Sequence, residues 1–444
     1  MSRYMFRPQF GSCASTLTRK MVAVMTSFHS ALHHWAYGAS PLALGFALTV
    51  AAPVEPPCDA DNGGLVVPEG FCATLVASNL GPVRQLAVAP NGDVYAALSG
   101  KPGDGTGGVL AFRDRNGDGK PNERATFGPG GGNDVEVHNG YVYFALNDRI
   151  LRYRLSSGKL EPDGKEEVLV AGLPGEGSHK AKSLAFGSGD TMYVAIGSAT
   201  NSCQETDRVP ASPGKDPCKE LERHAGIWQF SASRPEQRFP DGRRVATGLR
   251  NAMAVTTDPG TGALYAGIHG RDQLSDNWGF ADEVNANNPG EELVRIVPGD
   301  DYGWPYCYYS NQYKKKVLAP EYGGDGQKVG RCASAKAPLL SFPGHWGPMA
   351  LAFYTGDAFG PKFRGGLFVA FRGSWNRAPL PQEGYRVSFV PFVNGQPAGE
   401  YSTFATDKAG PTSLRATGVA VAPDGSLYIS ADQNGKIWKV TRAR

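Results

Sequence analysis

Five phrases in this chain set side chains with chemical potential at short, defined spacings. GEGSHKAKSLAF (175–186) places His179 just ahead of an apolar run, and GLRNAMAV (248–255) places Arg250 and Asn251 in the same way. AGIHGRDQLSDN (266–277) carries His269, Gly270, Arg271 and Asp272 out of such a run, and FRGSWNR (371–377) groups Arg372, Trp375, Asn376 and Arg377. SLRATGV (413–419) adds Arg415. A neutral imidazole removes a proton near neutral pH. Guanidinium groups fork carboxylates, and an indole offers a flat stacking surface. Carbonyls at Gly270 and Arg271, helped by Asp272, suit a hard cation such as Ca²⁺. A Gly-rich phosphate loop, a GxSxG elbow, CxxC and CxxCH are all missing from the sequence.

Composition narrows the setting. With 45 Lys+Arg against 42 Asp+Glu, the formal charge of +3 gives no electrostatic case for a nucleic acid or a membrane surface as partner. At 41% apolar and 20% charged residues, the chain is globular in composition. Its 58 glycines and 33 prolines follow no collagen period and read as punctuation between short strands.

The elements that must carry these residues repeat. A short apolar strand, a Gly-containing turn and a strand with an aromatic occur at 86–98, 135–146, 184–197, 254–268, 350–371 and 419–431. The aromatics Tyr95, Tyr143, Tyr193, Tyr265, Phe368 and Tyr428 stand 48, 50, 72, 103 and 60 positions apart. The turns need positive φ, and no such hairpin buries its apolar face alone. The spacing predicts an all-β fold, a six-bladed β-propeller with four antiparallel strands per blade, as one domain over 58–444. Extra length in the intervals before the fourth and fifth copies is expected in insertions on the functional face or at blade edges.

If all the Gly turns lie at one end, the other end collects what precedes each first strand and follows each second strand. That mouth gathers Arg84, Asn133, Asp134, His179, Arg250, Asn251, His345 and Arg415, with Asn147, Asp148, Ser198, His269, Gly270, Arg372, Trp375 and Asp432. Three His and four Arg converging there call for a planar polyanion. DRNGDGKPNERA (114–125) opens like a calcium loop through Asp114, Asn116 and Asp118, but its twelfth position is Ala125, so the EF-hand pattern fails.

Residues 1–52 read as a signal peptide: Arg3, Arg7, Arg19 and Lys20, then an apolar run at 41–52 too short to span a bilayer. Met21 and Met25 are alternative starts. Six further cysteines fall in couples, Cys58/Cys72, Cys203/Cys218 and Cys307/Cys332. They admit 15 connectivities, of which pairing within each couple is the expectation. The expected location is periplasmic or secreted, with no membrane span in the mature chain.

On His179, GLRN, HGRD, DDYGWPYCYY (300–309), FRGSWNR with GYRV (384–387) and VAVAPDGSLYIS, the sequence over about 65–442 resembles the glucose/sorbosone dehydrogenase family, the soluble pyrroloquinoline quinone (PQQ) propellers. It looks most like the L-sorbosone and pyranose dehydrogenase branch. The resemblance implies a six-bladed propeller and a PQQ- and Ca²⁺-dependent oxidation of an aldose, L-sorbosone or related pyranose by hydride transfer to the quinone. It implies His179 as general base and Arg250 with Asn251 against the quinone. Arg415 then contacts a cofactor carboxylate, and the Gly270 and Arg271 carbonyls hold Ca²⁺. Arg84, His345, Arg372 and Trp375 match cofactor-pocket positions of the sorbosone/pyranose branch, and Arg84 with His345 argue against glucose. Electrons would leave to a separate quinone or cytochrome. The step should weaken below about pH 6, as an ordinary imidazole protonates. The alternatives are a Ca²⁺-dependent lactonase-type hydrolase and a non-catalytic binding propeller.

Overall fold

Each predicted hairpin forms, and each becomes the two inner strands of a blade. The computed structural model describes residues 58–100 and 106–443, so the expected signal peptide at 1–52 lies outside the described residues. Blade one is Val83–Val88, Val94–Ser99, Gly107–Arg113 and Glu123–Phe127. Blade two is Asp134–His138, Tyr141–Ala145, Arg149–Arg154 and Glu167–Ala171, and blade three Lys182–Phe186, Thr191–Ile196, Gly226–Ser231 and Arg243–Thr247. Blade four is Ala254–Thr257, Leu264–Ile268, Glu291–Ile296 and Leu340–Phe342. Blade five is Pro348–Phe353, Leu367–Arg372, Tyr385–Val390 and Ser402–Asp407. Blade six takes Ala416–Val421, Leu427–Ala431 and Lys436–Arg442, and its outermost strand is Phe71–Ala77.

All six aromatic anchors sit on second strands, where the repeat put them. Two blades exceed the expected four strands: Gln237–Arg238 pairs in parallel beside blade two, and Leu65–Val66 extends blade five. The first strand of each blade packs on the first strand of the next, and blade six returns to blade one.

Strand alternation explains the packing. Each blade is apolar on both faces, so the core divides into six clusters, one between every pair of neighbouring blades. The Gln85 amide nitrogen lies within hydrogen-bond reach of Ser183 Oγ at 3.2 Å, Met253 O at 2.9 Å and Met349 O at 2.9 Å. One side chain therefore knits blades one, three, four and five. The closing strand is held by aromatic contact: Phe71 lies 4.8 Å from Phe359, 5.4 Å from Phe363 and 5.2 Å from Phe404, all edge to face. Such pairs add about 0.5–1.5 kcal/mol each beyond burial.

The cysteines pair within their couples, Cys58–Cys72, Cys203–Cys218 and Cys307–Cys332. Two of these bridges staple the long insertions of blades three and four. Residues 197–225 join the second and third strands of blade three, and 269–290 do the same in blade four through helices Leu274–Trp278 and Asp282–Asn287. Residues 297–339 leave the third strand of blade four and climb beside the end of blade three, with Thr247 N donating to Asp300 O at 3.1 Å and Trp304 N to Gly248 O at 3.0 Å. No helix among the described residues is long and apolar enough to cross a membrane.

The acidic loop between the third and fourth strands of blade one satisfies itself. Asp114 accepts from Gly117 N at 2.8 Å and Gly119 N at 2.7 Å, and Asp118 accepts from Lys120 N at 2.8 Å and Asn116 Nδ2 at 2.9 Å. These are Asx-type turns, as the failed EF-hand pattern anticipates.

Candidate active site

At the end of the ring opposite the Gly turns lies a cleft of about 660 Å³. Its lining includes Arg84, Asn133, Asn147, His179, Arg250, Asn251, His269, Gly270, His345, Arg372 and Trp375, brought from five of the six blades as strand polarity predicts. Trp375 stays 65% exposed at the mouth, so its ring is available for stacking.

The His179 ring is held in one orientation. Its Nδ1 lies 2.9 Å from the Ser198 carbonyl and 2.9 Å from Ser198 Oγ, whose own proton goes to Thr200 O at 2.6 Å. A carbonyl only accepts, so Nδ1 carries the hydrogen and Nε2 keeps its lone pair. Burial and the neighbouring Arg250 charge hold the imidazole well below its usual range, against the opposing pull of Asp272. The expected weakening near pH 6 is therefore corrected: protonation of His179 moves to a lower pH.

Arg250, 4% exposed, is gripped on three sides. It donates through Nε to Asn201 O at 3.0 Å, through Nη1 to Gly270 O at 2.7 Å, and through Nη2 to Asn201 Oδ1 at 2.9 Å and Asp272 Oδ2 at 3.0 Å. Of its five N–H donors, one on Nη1 is left over. Asp272 also accepts from Arg208 Nη2 at 2.9 Å and Asn376 Nδ2 at 2.8 Å, and His345 Nδ1 stands 3.8 Å away. Burial opposes its ionisation, but Arg250, His345 and Arg208 outweigh that and hold the carboxyl well below the usual range.

Two further imidazoles are oriented by backbone carbonyls. His269 Nε2 donates to Pro348 O at 2.8 Å, so its Nδ1 accepts from Asn251 Nδ2 at 3.3 Å, and burial pushes the ring down to about 4. His345 Nε2 donates to Asn285 O at 2.7 Å. Glu291 is a buried carboxyl in the same cleft, accepting from Gly270 N at 3.3 Å, and burial pushes it up to about 8.

On the other side stands a second group of arginines. Arg84 Nη1, Arg372 Nε and Arg415 Nε reach Asp432 at 3.2, 2.6 and 3.3 Å. Arg84 Nε also donates to Asn133 Oδ1 at 3.1 Å. Burial comes first, and the charges of Arg372 and Arg415 add to it, in lowering Arg84 to about 10 against the pull of Asp432; it remains a cation at neutral pH.

Several expected residues are elsewhere. Asp134 turns toward blade three and accepts from Leu184 N at 2.6 Å, because it shares the strand face that packs there. Asp148 pairs with its neighbour Arg149 at the surface. Arg415 and Asp432 fall outside the cleft lining but are tied to Arg84 and Arg372 through the Asp432 carboxylate, and Ser198 orients His179. Arg271 sends its side chain to Glu321 at 2.8 Å, beside a separate cavity of about 20 Å³. Arg377 is 3% exposed and holds the carbonyls of Pro381 and Ala286. Reasoning from the repeat missed Asn201, Arg208 and Glu291. The first two lie in the blade-three insertion, where no repeat register exists. Glu291 lies next to Glu292 on a strand with no motif to mark it.

The residues fit a planar polyanion. Arg84, Lys180, Arg208, Arg250 and Arg372 line the cleft against Asp272 and Glu291, and the volume lies within the range of small-molecule sites. They do not by themselves fit Ca²⁺. The Gly270 carbonyl already accepts from Arg250, and no group of three His, Cys, Asp or Glu that could hold a metal gathers among the described residues. Ca²⁺ takes about 6–8 oxygens, far more than two carbonyls supply.

Similarity to known proteins agrees with this geometry. The chain is 28% identical over 246 residues to a pyrroloquinoline quinone-dependent pyranose dehydrogenase of Coprinopsis cinerea, an alignment covering 45% of this chain and 31% of that protein. The match thus spans about a third of that relative's length. It is 22% identical over 337 residues to a pyrroloquinoline quinone-dependent sugar dehydrogenase of Hypocrea jecorina, covering 68% and 72% of the two chains. Among solved structures, the calcium structure of the Trichoderma reesei family AA12 enzyme superposes with a TM-score of 0.70 at 19% identity, covering 88% and 100%. The holo PQQ domain of the Coprinopsis cinerea pyranose dehydrogenase gives 0.68 at 19%, covering 87% and 98%. The TrAA12-like family matches residues 65–443 without a break in its range, and the chain belongs to it.

Proposed function

We propose that this protein is a PQQ-dependent sugar dehydrogenase that oxidises an aldose, L-sorbosone or a related pyranose, in an oxidising compartment outside the cytoplasm. The observation that carries the reading is the meeting of His179, with a free Nε2, and two arginine groups in one cleft. The named relatives that act on sugars through PQQ support it, as do the three disulfides for the compartment.

A bound ortho-quinone supplies the electrophile that accepts hydride. The chain's residues do the rest. Arg84 and Arg372, backed by Arg415, bind carboxylates, and Trp375 offers a stacking face at the mouth. Arg250, with its remaining N–H, favours negative charge developing on an oxygen beside it. His179 Nε2 takes the hydroxyl proton of the sugar as its carbon gives up hydride, and Ser198 keeps the ring in the productive tautomer. Calcium belongs to this reading only as a ion taken up together with PQQ. Electrons would leave the site to a separate quinone or cytochrome.

The test is a titration of metal-free, correctly oxidised protein with PQQ, with and without Ca²⁺, followed by quinone absorbance and then by a sugar panel with an artificial acceptor. Stoichiometric uptake and sugar-dependent bleaching are expected, and Ca²⁺ titrated without PQQ should give no binding heat. Absence of PQQ uptake, with hydrolysis of a lactone panel, would replace the reading by the hydrolase. Absence of both would leave a binding propeller.

A further inference from the structure

Asp432 holds three arginines that come from three blades, and it holds two of them by the same atom. Arg84 belongs to blade one, Arg372 ends the second strand of blade five, and Arg415 precedes the first strand of blade six. Arg372 and Arg415 both meet the carboxylate through Nε, at 2.6 and 3.3 Å. Among the described residues, their Nη1 and Nη2 atoms make no hydrogen bond. The carboxylate itself is fixed: its side chain is 8% exposed, and the Asp432 backbone N–H donates to Arg415 O at 3.2 Å.

Two roles for Asp432 can be separated by sign. As a counter-charge, it only weakens an anion site, and its removal should tighten anion binding. As a grip, it fixes Arg372 and Arg415 on the Nε side, leaves their forked ends free and holds Arg84 by Nη1, and its removal should loosen binding although the site becomes more positive. Three guanidinium groups and one carboxylate carry 3 − 1 = +2 formal charges, the complement of two carboxylates on a rigid ligand.

Resting on the reading that this cleft takes PQQ, we propose that Asp432 is a positioning residue that orients Arg84, Arg372 and Arg415 to receive a pair of cofactor carboxylates. Lost rotamer freedom is then met during folding instead of during binding, which is how preorganisation raises affinity.

The experiment is PQQ titration of the full-length oxidised protein by calorimetry and quinone absorbance, in wild type, Asp432→Asn and Arg372→Lys. Asp432→Asn should bind PQQ at least tenfold more weakly despite losing a negative charge. Arg372→Lys keeps the charge but has neither Nε nor a fork, and should lose affinity comparably. The trimethyl ester of PQQ, which has no carboxylates, should bind wild type and both variants alike. Unchanged or tighter PQQ binding by either variant overturns the proposal, and so does a parallel loss of ester binding, which would mark a general structural defect. If Asp432→Asn does not fold, Arg372→Lys decides alone, since Arg372 is 36% exposed. A wild-type protein that binds no PQQ removes the reading of the cleft itself, and the inference with it.

Discussion

The cleft contains two arginine systems built on opposite plans. Around Asp272, Arg250 is 4% exposed and nearly saturated by Asn201, Gly270 and Asp272. Around Asp432, Arg372 and Arg415 are 36% and 30% exposed and keep their forked ends free. The first system is rigid and buried, and it faces His179, where charge would change during reaction. The second is half-open and keeps donors unspent. The contrast teaches that arginines in one cleft can be locked by the fold in one cluster and left with open donors in another, the second being the one suited to the proposed cofactor.

The largest effect should come from removing the base. His179→Gln is expected to lower the first-order rate of PQQ reduction by sugar by about 10²–10⁴, read in single-turnover stopped flow, with PQQ affinity within a few-fold of wild type. Equal losses of rate and affinity would erase the division between the two systems. Arg250→Lys comes next. It leaves Asp272 and two carbonyls short of partners in a buried setting, and breaking such a pair destabilises by about 3–5 kcal/mol, visible as a lower unfolding midpoint of the cofactor-free protein.

Arg415→Gln should act on the open system alone. A charge-assisted hydrogen bond is worth about 1.5–3 kcal/mol, so PQQ affinity should fall about tenfold or more while the single-turnover rate at saturation holds. Raising salt should weaken PQQ binding, since the Asp432 arginines are partly solvent-accessible, and should leave the Arg250 contacts intact.

The smallest effect concerns pH. The rate should stay flat through pH 6 and fall only at lower pH, because His179 is held well below the ordinary imidazole range. Stability has its own window. His269 binds its proton near 4 in the fold and near 6.5 when unfolded, so the unfolded chain holds more protons between those values. Its contribution is complete above 6.5 and declines as pH falls toward 4, and His269→Gln should flatten that part of the stability profile.

Much of the frame was legible because the propeller repeats. Tyr95, Tyr143, Tyr193, Tyr265, Phe368 and Tyr428 fill one structural position six times, and polarity then sent His179, Arg250 and Arg372 to one mouth. What repeats cannot disclose lies in the insertions. Asn201, which binds Arg250 with both its carbonyl and its side chain, lies between the second and third strands of blade three in a loop whose course is fixed by Cys203–Cys218 and by Trp304 Nε1 on Asn201 O at 2.9 Å. Asp134 marks the other limit. Polarity assigns a residue to an end of a strand, whereas the side of the strand it faces depends on the neighbouring blade.

The outermost strand of blade six, Phe71–Ala77, precedes every other strand of that blade by more than 300 residues of sequence. Such a ring cannot be completed piece by piece as the chain is made. Until Lys436–Arg442 has emerged, Phe71 and its partners have no sheet to join, and an unpaired edge stays open at each end of the growing array. The high sequence separation of this one pairing therefore places the slow, aggregation-exposed interval at the end of synthesis. The last seven-residue strand thus converts an open arc of blades into a closed ring.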